Sequence, residues 1–319
     1  MSTFSDGVYQ FGGMPVGGKY YSKVWWVFPS SGSDSNKGTR PQQPLKTLSK
    51  AQTLATADNN EAVFLVSESN SASSTTDYQS AALDWAKDGV DLIGVCAGNH
   101  LQQRARIAQL STATGVSNLF TVSADNCFIA NISIFHGVDD ATSLGAVLVS
   151  GQRNKFYNVS MSGIGHATQD AANNYSLKVT GSENLFEECY IGLSTIARAT
   201  ATYEMAFDSG ATRNTFRKCM IDSYGNAAFA HVYVPSNGID RWNMFDDCVF
   251  MNMPTGDASG TTMDEVFDVT GGGSPDGIIV CHNCSFFGVT DVEKDTVSGK
   301  VMVSMAAANA QGGKATDAS

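Results

Sequence analysis

Acidic side chains are the residues of this sequence best suited to chemistry. A glycosidase needs two carboxylates that face one groove, about 5 to 9.5 Å apart. The candidate acids are Asp139, Asp140, Asp170, Asp208, Asp222, Asp246 and Asp247. The pair 246–247 occupies a repeat position that Glu187–Glu188 and Arg217–Lys218 hold elsewhere. A solvated corner of mixed charge therefore explains this pair better than catalysis does.

Basic residues could take part in a second chemistry, that of a lyase, but their positions do not favour it. Lyase chemistry needs acidic ligands for Ca²⁺ and a nearby Arg or Lys base. The candidate bases fall at predicted turns or outward corners, without a matching acid cluster: Arg153, Arg198, Arg213, Lys218 and Arg241. The histidines are too scattered for a Ser/His/Asp triad: His100, His136, His166, His231 and His282. The sequence therefore predicts no catalytic residues and no cofactor.

Cysteines could in principle bind a metal ion, but their spacing disfavours a metal site. Cys281 and Cys284 have the spacing of half a zinc site, but no second pair supplies the remaining ligands. The count of seven is odd, and four cysteines share one repeat position. We expect buried free thiols, typical of a reducing compartment, and no metal site.

These residues belong to a motif that returns six times. An inward apolar residue is followed by others three and five places later, as in Phe186, Cys189 and Ile191. The key position falls at 129, 156, 186, 216, 245 and 281, with spacings of 27, 30, 30, 29 and 36 residues. Periods of this size indicate the coils of a solenoid.

Upstream of each key residue lies a short strand with alternating apolar positions. The inward pairs are Phe120 and Val122, Val147 and Val149, Leu177 and Val179, Met205 and Phe207, Val232 and Val234, and Phe267 and Val269. No crossover helix fits between strands, so the chain is predicted to be all-β: a right-handed, single-stranded, three-sided parallel β-helix. Equivalent side chains then stack roughly 4.8 Å apart. The predicted ladders are Phe156, Phe186, Phe216 and Phe245, with Cys189, Cys219, Cys248 and Cys284 beside them.

An asparagine lies two places before four of the key positions: Asn154, Asn184, Asn214 and Asn243. Asn tolerates left-handed backbone angles and forms local hydrogen bonds in turns. We therefore expect these residues to stack at one corner in a structural role.

The rest of the chain divides into an extended N-terminal arm at 1–23, a strand and capping helix at 24–60, the β-helix at 61–297 and an extended tail at 298–319. The helix follows Pro44 and closes the open end of the solenoid. The arm carries aromatics that need another surface to pack on, whether the chain's own β-helix, a sister subunit or a larger assembly. These partner-binding candidates are Phe4, Tyr9, Phe11, Tyr20 and Tyr21.

Composition restricts the partners further. A formal net charge of −11 disfavours nucleic acid, whose phosphates require clustered Lys and Arg. No apolar run reaches membrane-spanning length, and the start of the chain lacks the features of a secretion signal. We expect no membrane partner and synthesis in a cytosol, unless a leader was removed or another export route is used.

The run from Gly32 to Thr39, followed by Pro44-Leu45-Lys46-Thr47-Leu48, resembles the opening of pectate-lyase-like right-handed β-helix proteins, bacteriophage tailspikes and other virion proteins among them. The resemblance covers about the first third of the chain directly and extends to about residue 287 through the coils. It implies the fold, and it leaves the activity open because that superfamily contains lyases, hydrolases, adhesins and structural proteins. Phage β-helix proteins of this kind imply a homotrimer.

The sequence thus leads to two hypotheses. The first is a non-enzymatic structural protein of a tailed-bacteriophage virion, a capsid decoration or cement protein whose arms bind the major capsid protein or another virion protein. The alternative is a tailspike or fibre protein that binds or cleaves host surface polysaccharide, with a groove formed by Asp139, Asp140, Asp208 and aromatic loop residues.

Overall fold

The computed structural model describes residues 10–11, 14–15, 21–96, 98, 104–253, 263–269, 276–293, 299–304 and 314–316. This part of the chain forms a right-handed parallel β-helix with three long sheets and few helices. The predicted fold class is therefore confirmed.

The strands are numbered in chain order. They are β1 (Gln10–Phe11), β2 (Met14–Pro15), β3 (Lys23–Val27), β4 (Glu61–Val66), β5 (Thr76–Gln79), β6 (Leu83–Trp85), β7 (Asp91–Val95), β8 (Arg106–Gln109), β9 (Asn118–Val122), β10 (Phe128–Ala130), β11 (Ser133–Phe135), β12 (Gly145–Val149), β13 (Lys155–Tyr157), β14 (Ser160–Ser162), β15 (Tyr175–Val179), β16 (Leu185–Glu187), β17 (Tyr190–Gly192), β18 (Tyr203–Phe207), β19 (Thr215–Arg217), β20 (Met220–Ser223), β21 (Ala230–Tyr233), β22 (Trp242–Asp246), β23 (Val249–Asn252), β24 (Met263–Asp268), β25 (Ile278–His282), β26 (Ser285–Phe287), β27 (Val289–Glu293), β28 (Val301–Ser304) and β29 (Lys314–Thr316). The helices are α1 (Leu48–Leu54), α2 (Ala72–Thr75) and a 3₁₀ turn at Ala167–Gln169.

Each coil contributes one strand to each sheet in turn. Sheet 1 has the order β29-β28-β25-β22-β19-β16-β13-β10-β7-β4-β3. Sheet 2 has the order β26-β23-β20-β17-β14-β11-β8-β5, and sheet 3 the order β27-β24-β21-β18-β15-β12-β9-β6. Pairing along these sheets is parallel, except that β29 returns antiparallel to β28. The core lies between the three sheets and runs the length of the solenoid.

The key positions align in sheet 1 from coil to coil. Phe156 pairs with Phe186, Phe186 with Phe216, and Phe216 with Phe245. Successive ring centroids lie 4.6, 4.4 and 4.7 Å apart, with nearly parallel rings. The cysteines lie beside them: the Sγ atoms of Cys189, Cys219, Cys248 and Cys284 lie 3.4 to 3.6 Å from the carbonyl oxygens of Phe156, Phe186, Phe216 and Phe245.

The asparagine corner is held by side-chain hydrogen bonds. The Asn184 Oδ1 accepts from the Asn154 backbone N–H at 2.9 Å, and the Asn214 Oδ1 accepts from Asn184 at 2.9 Å. The left-handed residues are instead those before three of the four asparagines, Arg153, Glu183 and Arg213, with φ of 56°, 61° and 55°. The reason given for these asparagines was therefore wrong: they cap the backbone of the neighbouring coil and do not adopt the left-handed conformation.

The helix α1 closes the N-terminal end. Thr47 is its N-cap, and the Thr47 Oγ1 accepts from the Lys50 N–H at 3.2 Å. Leu48 and Ala51 are fully buried in the core, because the apolar positions recur at helical spacing. The helix thereby covers apolar side chains that the first coil would otherwise expose.

The predicted arm lies largely outside the described residues, which include none of Phe4, Tyr9 and Tyr20. Phe11 belongs to the two-residue strand β1, which pairs antiparallel with β2. Tyr21 packs edge-on against Phe64 at 6.5 Å, and its hydroxyl donates to Asp91 at 2.9 Å. Tyr21 therefore packs on the chain's own β-helix. No helix in the described ranges is long and apolar enough to cross a membrane.

Candidate functional site

Titratable side chains gather on the outer surface of sheet 3. Strand alternation turns Leu177 and Val179 into the core, so that Lys178 between them faces outward. The parallel register continues this outward row as Lys178, Ala206, Tyr233 and Asp268. Tyr175 and Tyr203 also face outward, although each lies two residues before an inward position, because they pack with Ala206 and Tyr233 in a cluster separate from the core. We call the outward set Tyr175, Lys178, Tyr203, Asp208, Tyr233 and Asp268 the sheet-3 groove. Lys178, Asp208, Tyr233 and Asp268 are half-buried.

Three tyrosines form the aromatic part of the sheet-3 groove. The rings of Tyr203 and Tyr233 stack with centroids 5.0 Å apart. The Lys178 Nζ lies 4.8 Å from the Tyr175 ring centroid, within cation–π range. The Tyr175 hydroxyl donates to Asn118 Oδ1 at 2.5 Å. Tyr175 lies against Gly145, where a Cβ would come within 2.1 Å of the ring, so only glycine leaves space for this ring.

The tyrosines and carboxylates are close enough to perturb one another. Burial raises the pKa of Tyr203 to about 12, with further contributions from Tyr233 and Asp208. Burial also raises the pKa of Tyr175, and Asp208 adds to that increase. Burial, Asp268 and Asp208 raise the pKa of Tyr233. Both carboxylates therefore lie within electrostatic reach of the Tyr233 hydroxyl, and clusters of mutually perturbed groups are typical of functional sites.

Asp208 and Asp268 reach the sheet-3 groove from different coils. Asp208 directly follows β18, and its carboxylate accepts the Ser209 N–H at 2.7 Å. Asp268 ends β24, two coils further along. Strands of neighbouring coils lie about 4.8 Å apart, so the two backbones are separated by roughly 10 Å along the axis. Asp208 and Asp268 therefore come from the coils before and after the one that carries Tyr233.

A buried ion pair lies behind the sheet-3 groove. The Arg198 Nε is 3.5 Å from Glu204 Oε2, and both side chains are inaccessible to solvent. Arg198 also donates to the carbonyls of Leu193 and Ile164 at 2.8 and 3.0 Å, which holds a loop at the edge of sheet 3. Burial raises the pKa of Glu204 despite the nearby guanidinium. Because breaking a buried pair exposes an uncompensated charge to the core, we assign this pair a structural role.

The acids predicted from the sequence as a groove do not come together. Asp139 is exposed, and one of its oxygens lies 3.8 Å from His166 Nδ1. Asp140 is buried and accepts from the Thr142 Oγ1 at 2.6 Å and from the Gly115 N–H at 3.0 Å. The hydrogen bonds from Thr142 hold the pKa of Asp140 well below its usual range. Asp139 and Asp140 belong to the loop after β11, whereas Asp208 follows a strand of sheet 3. The predicted grouping is therefore wrong.

The other candidate acids have structural partners. Asp170 accepts the backbone N–H groups of residues 199–201 at 2.8 to 3.2 Å, and the Tyr190 hydroxyl donates to Asp222. Asp246 pairs with Arg217 at 3.2 Å and with His282 at 2.7 Å. Asn283 Nδ2 donates to Asp247.

The candidate bases also differ from the prediction. Arg153 and Arg213 both pair with Glu183, at 2.8 and 2.6 Å, so they do have an acidic partner. Arg198 is buried and not at an outward corner. Within the described ranges, no three His, Cys, Asp or Glu side chains lie together as metal ligands would.

Comparison with solved structures finds the same fold in pectin methylesterases and a pectate lyase. A pectin methylesterase in complex with a hexasaccharide superposes with a TM-score of 0.56, covering 88% of this chain and 83% of its own, at 17% identity. A pectate lyase gives 0.59 over 84% of this chain and 64% of the lyase, at 14% identity. The pectin methylesterase of Aspergillus niger gives 0.53 over 92% and 93%, at 12% identity. At identities this low, the structural similarity establishes a shared fold alone. The chain matches no family model, and no curated protein sequence matches it.

These neighbours overturn the expectation of a protein without enzymatic activity. That prediction was wrong: the solved structures that share the fold are pectin methylesterases and pectate lyases. It rested on the scatter of acids and bases along the sequence, whereas folding brings Asp208, Asp268 and the tyrosines to one surface. The alternative hypothesis, a protein that binds or cleaves polysaccharide, is the better supported of the two, and these structures give no support to a virion role.

Sequence reasoning missed most of the sheet-3 groove. Tyr175, Tyr203, Tyr233 and Asp268 occupy outward strand positions, where residue types change from coil to coil. One signal was present: each of these residues belongs to a strand whose inward positions had been recognised. Aligning the outward positions of those strands in register would have placed Lys178, Tyr233 and Asp268 in one row.

Proposed function

We propose that the chain binds a polysaccharide along the sheet-3 groove and hydrolyses it with Asp208 and Asp268. The observation that carries the proposal is the strand register, which puts Asp208 and Asp268 in the coils before and after the one that carries Tyr233. The fold shared with pectin methylesterases and a pectate lyase supports a carbohydrate substrate. The groove runs parallel to the solenoid axis, so an extended polymer can lie across several coils.

The chemistry follows from the spacing. In an inverting hydrolysis one carboxylic acid protonates the glycosidic oxygen as the bond to the anomeric carbon breaks. The other carboxylate takes a proton from the water that attacks that carbon from the opposite side. Asp208 and Asp268 come from coils two apart, with backbones separated by roughly 10 Å along the axis. Inverting enzymes hold their two carboxyl groups about 6.5 to 9.5 Å apart, and side chains that reach toward one another from these coils can meet that requirement.

Charge selects the kind of polymer. The outward positions of sheet 3 carry the acids Asp84, Asp208, Glu265, Asp268 and Asp291. Among the described strands of sheet 3, Lys178 is the only lysine or arginine. Like charges repel, so a neutral glycan should bind here in preference to a polymer of uronic acids.

The test measures both cleavage and binding of a panel of neutral and acidic polysaccharides, which includes bacterial surface glycans. New reducing ends without unsaturated sugars are expected from a neutral glycan. Asp208→Asn and Asp268→Asn should each reduce cleavage by about a hundredfold or more, the usual contribution of a positioned acid or base, while binding persists. Asp240→Asn serves as the matched control, because Asp240 is an exposed acid that pairs with Arg241 at a turn.

Tyr233→Ala tests the binding surface separately. We expect about tenfold weaker binding of the cleaved glycan, since the ring is half-buried in the floor of the groove. Unsaturated products would indicate elimination instead of hydrolysis, and wild-type cleavage by both Asp variants would reject the proposed residues.

A tailspike or fibre that acts on host polysaccharide is the virion role consistent with this activity, and that location and the homotrimer stay predictions.

A further inference from the structure

We propose that a second site, on the outer face of sheet 2, binds a carboxylate carried on a six-membered ring. The site is a cavity of about 340 Å³ near the N-terminal end of the solenoid. It is lined by Thr76, Tyr78, Arg106, Ala108, Gln109, Leu110, Ser111, Phe135, Gly137 and Val138. We call it the sheet-2 pocket. Its volume falls within the range of about 300 to 1,000 Å³ that is usual for small-molecule sites.

Three successive strands form the floor of the sheet-2 pocket. Ile107 and Ile134 point into the core, so Arg106 and Ala108 of β8 and Phe135 of β11 face outward. Tyr78 of β5 pairs with Ala108 and also faces outward. Tyr78 and Leu110 are 46% and 37% exposed, which is high for large apolar side chains.

Arg106 provides a positive charge that no described residue neutralises. It forms no ion pair with the described residues, and its buried Nε has no hydrogen-bond partner among them. Burial and the neighbouring Arg104 lower the pKa of Arg106. The sequence contains no Asp or Glu between Asp91 and Asp125. Asp140 contacts Gln109 of the pocket lining, but its carboxylate accepts hydrogen bonds from Gln109, Gly115 and Thr142 and forms no ion pair with Arg106. An anion in the pocket would therefore neutralise the Arg106 charge.

The shape of the sheet-2 pocket selects a flat anion. The Arg106 guanidinium carbon lies 5.4 Å from the Phe135 ring centroid, so the aromatic ring orients the planar guanidinium. A guanidinium held in this way matches the two oxygens of a carboxylate. Gly137 makes room for the Phe135 ring, since a Cβ there would come within 2.4 Å of it. Phe135, Tyr78 and Leu110 then offer apolar contact to the face of a ring.

Two kinds of ligand have this chemistry, a uronic acid and an aromatic acid, and matched probes distinguish them. Galacturonate is compared with galactose, and benzoate with benzyl alcohol, by calorimetry and NMR titration of the full chain. We expect at least one carboxylate to bind about tenfold or more tightly than its neutral partner, as a charge-assisted hydrogen bond requires. The stronger of the two carboxylates identifies the class.

Variants assign the binding to the sheet-2 pocket. Arg106→Gln should weaken binding of the carboxylate by about tenfold or more, and Arg106→Lys should give an intermediate loss because it keeps the charge without the planar fork. Arg241→Gln is the matched control, since it removes an exposed arginine at a turn. NMR spectra of each variant report whether the fold is intact.

The inference does not rest on the proposed hydrolysis, and Tyr233→Ala in the sheet-3 groove should leave carboxylate binding unchanged. Equal binding by the wild type and Arg106→Gln would overturn the inference. So would equal binding of the acids and their neutral partners, or no binding of either acid at millimolar concentration.

Discussion

The sheet-3 groove and the sheet-2 pocket lie on neighbouring faces of one solenoid and differ in charge. The groove combines carboxylates, Asp208 and Asp268, with tyrosine hydroxyls, whereas the pocket surrounds Arg106 with Tyr78, Leu110 and Phe135. The groove extends over several coils in the C-terminal half, and the pocket is compact and lies near the N-terminal end. The two sites therefore suit different ligands, a neutral polymer and a small anion.

The difference shows how this fold separates stability from recognition. The same inward pattern supports both faces, because equivalent core residues align from coil to coil. Outward positions carry no such constraint, so Lys178, Tyr233 and Asp268 can follow one another in a single row. Residues at these outward positions determine what each face can bind.

The largest expected effect comes from a substitution in the core, which supports both sites. Phe216→Ala should lower the free energy of unfolding by about 3 to 5 kcal/mol, because its fully buried ring stacks between Phe186 and Phe245. Chemical denaturation measures the change. Arg217→Ala, the adjacent outward residue, should cost about 1 kcal/mol or less. Similar losses for the two variants would contradict the role of the aromatic stack.

Acid should destabilise both faces, through a different histidine behind each. Burial lowers the pKa of His231, behind the sheet-3 groove, to about 3, and that of His136, which hydrogen-bonds Gln109 of the sheet-2 pocket, to about 4. Both values lie below the unfolded value near 6.5, so the unfolded chain binds more protons between these limits. Stability is therefore present above about pH 6.5 and is lost as the pH falls toward 4 and then 3.

Denaturation at pH 7 and pH 4.5 measures this loss, which we expect to be on the order of 2 to 3 kcal/mol for each histidine. His231→Gln and His136→Gln should each reduce the pH dependence in proportion. His282→Gln is the control, because His282 is exposed and pairs with Asp246 at the surface. An unchanged acid response in both buried variants would show that other groups control acid unfolding.

Salt should distinguish the two sites by a smaller effect. Raising the ionic strength from about 0.05 to about 0.5 M should weaken carboxylate binding at the sheet-2 pocket a few-fold, because mobile ions screen the Arg106 charge. A neutral glycan in the sheet-3 groove should bind equally well at both concentrations. Parallel titrations of one preparation test the contrast. Equal salt dependence at the two sites would remove the electrostatic distinction between them.

The fold was predictable because its core repeats. Phe156, Phe186, Phe216 and Phe245 recur at near-constant spacing, and a parallel sheet places such residues in register. The N-terminal helix was predictable for a related reason, since Leu48 and Ala51 recur at helical spacing and are buried. Turn chemistry was predicted only in part: the asparagines form a corner ladder, but their neighbours adopt the left-handed angles.

The sites depended on contacts that spacing does not reveal. Asp208 and Asp268 are 60 positions apart in the sequence, and only the stacking of coils brings both to Tyr233. Arg198 looked like a surface base until the structure placed it beside Glu204, without access to solvent.

The sequence by itself therefore determined the period, the strands, the inward residues and the class of solenoid, because burial of apolar side chains imposes a regular pattern. Only the tertiary structure decided which outward side chains share a surface. That outcome depends on the register between coils and on loop lengths, and no hydrophobic pattern records either for residues that face water.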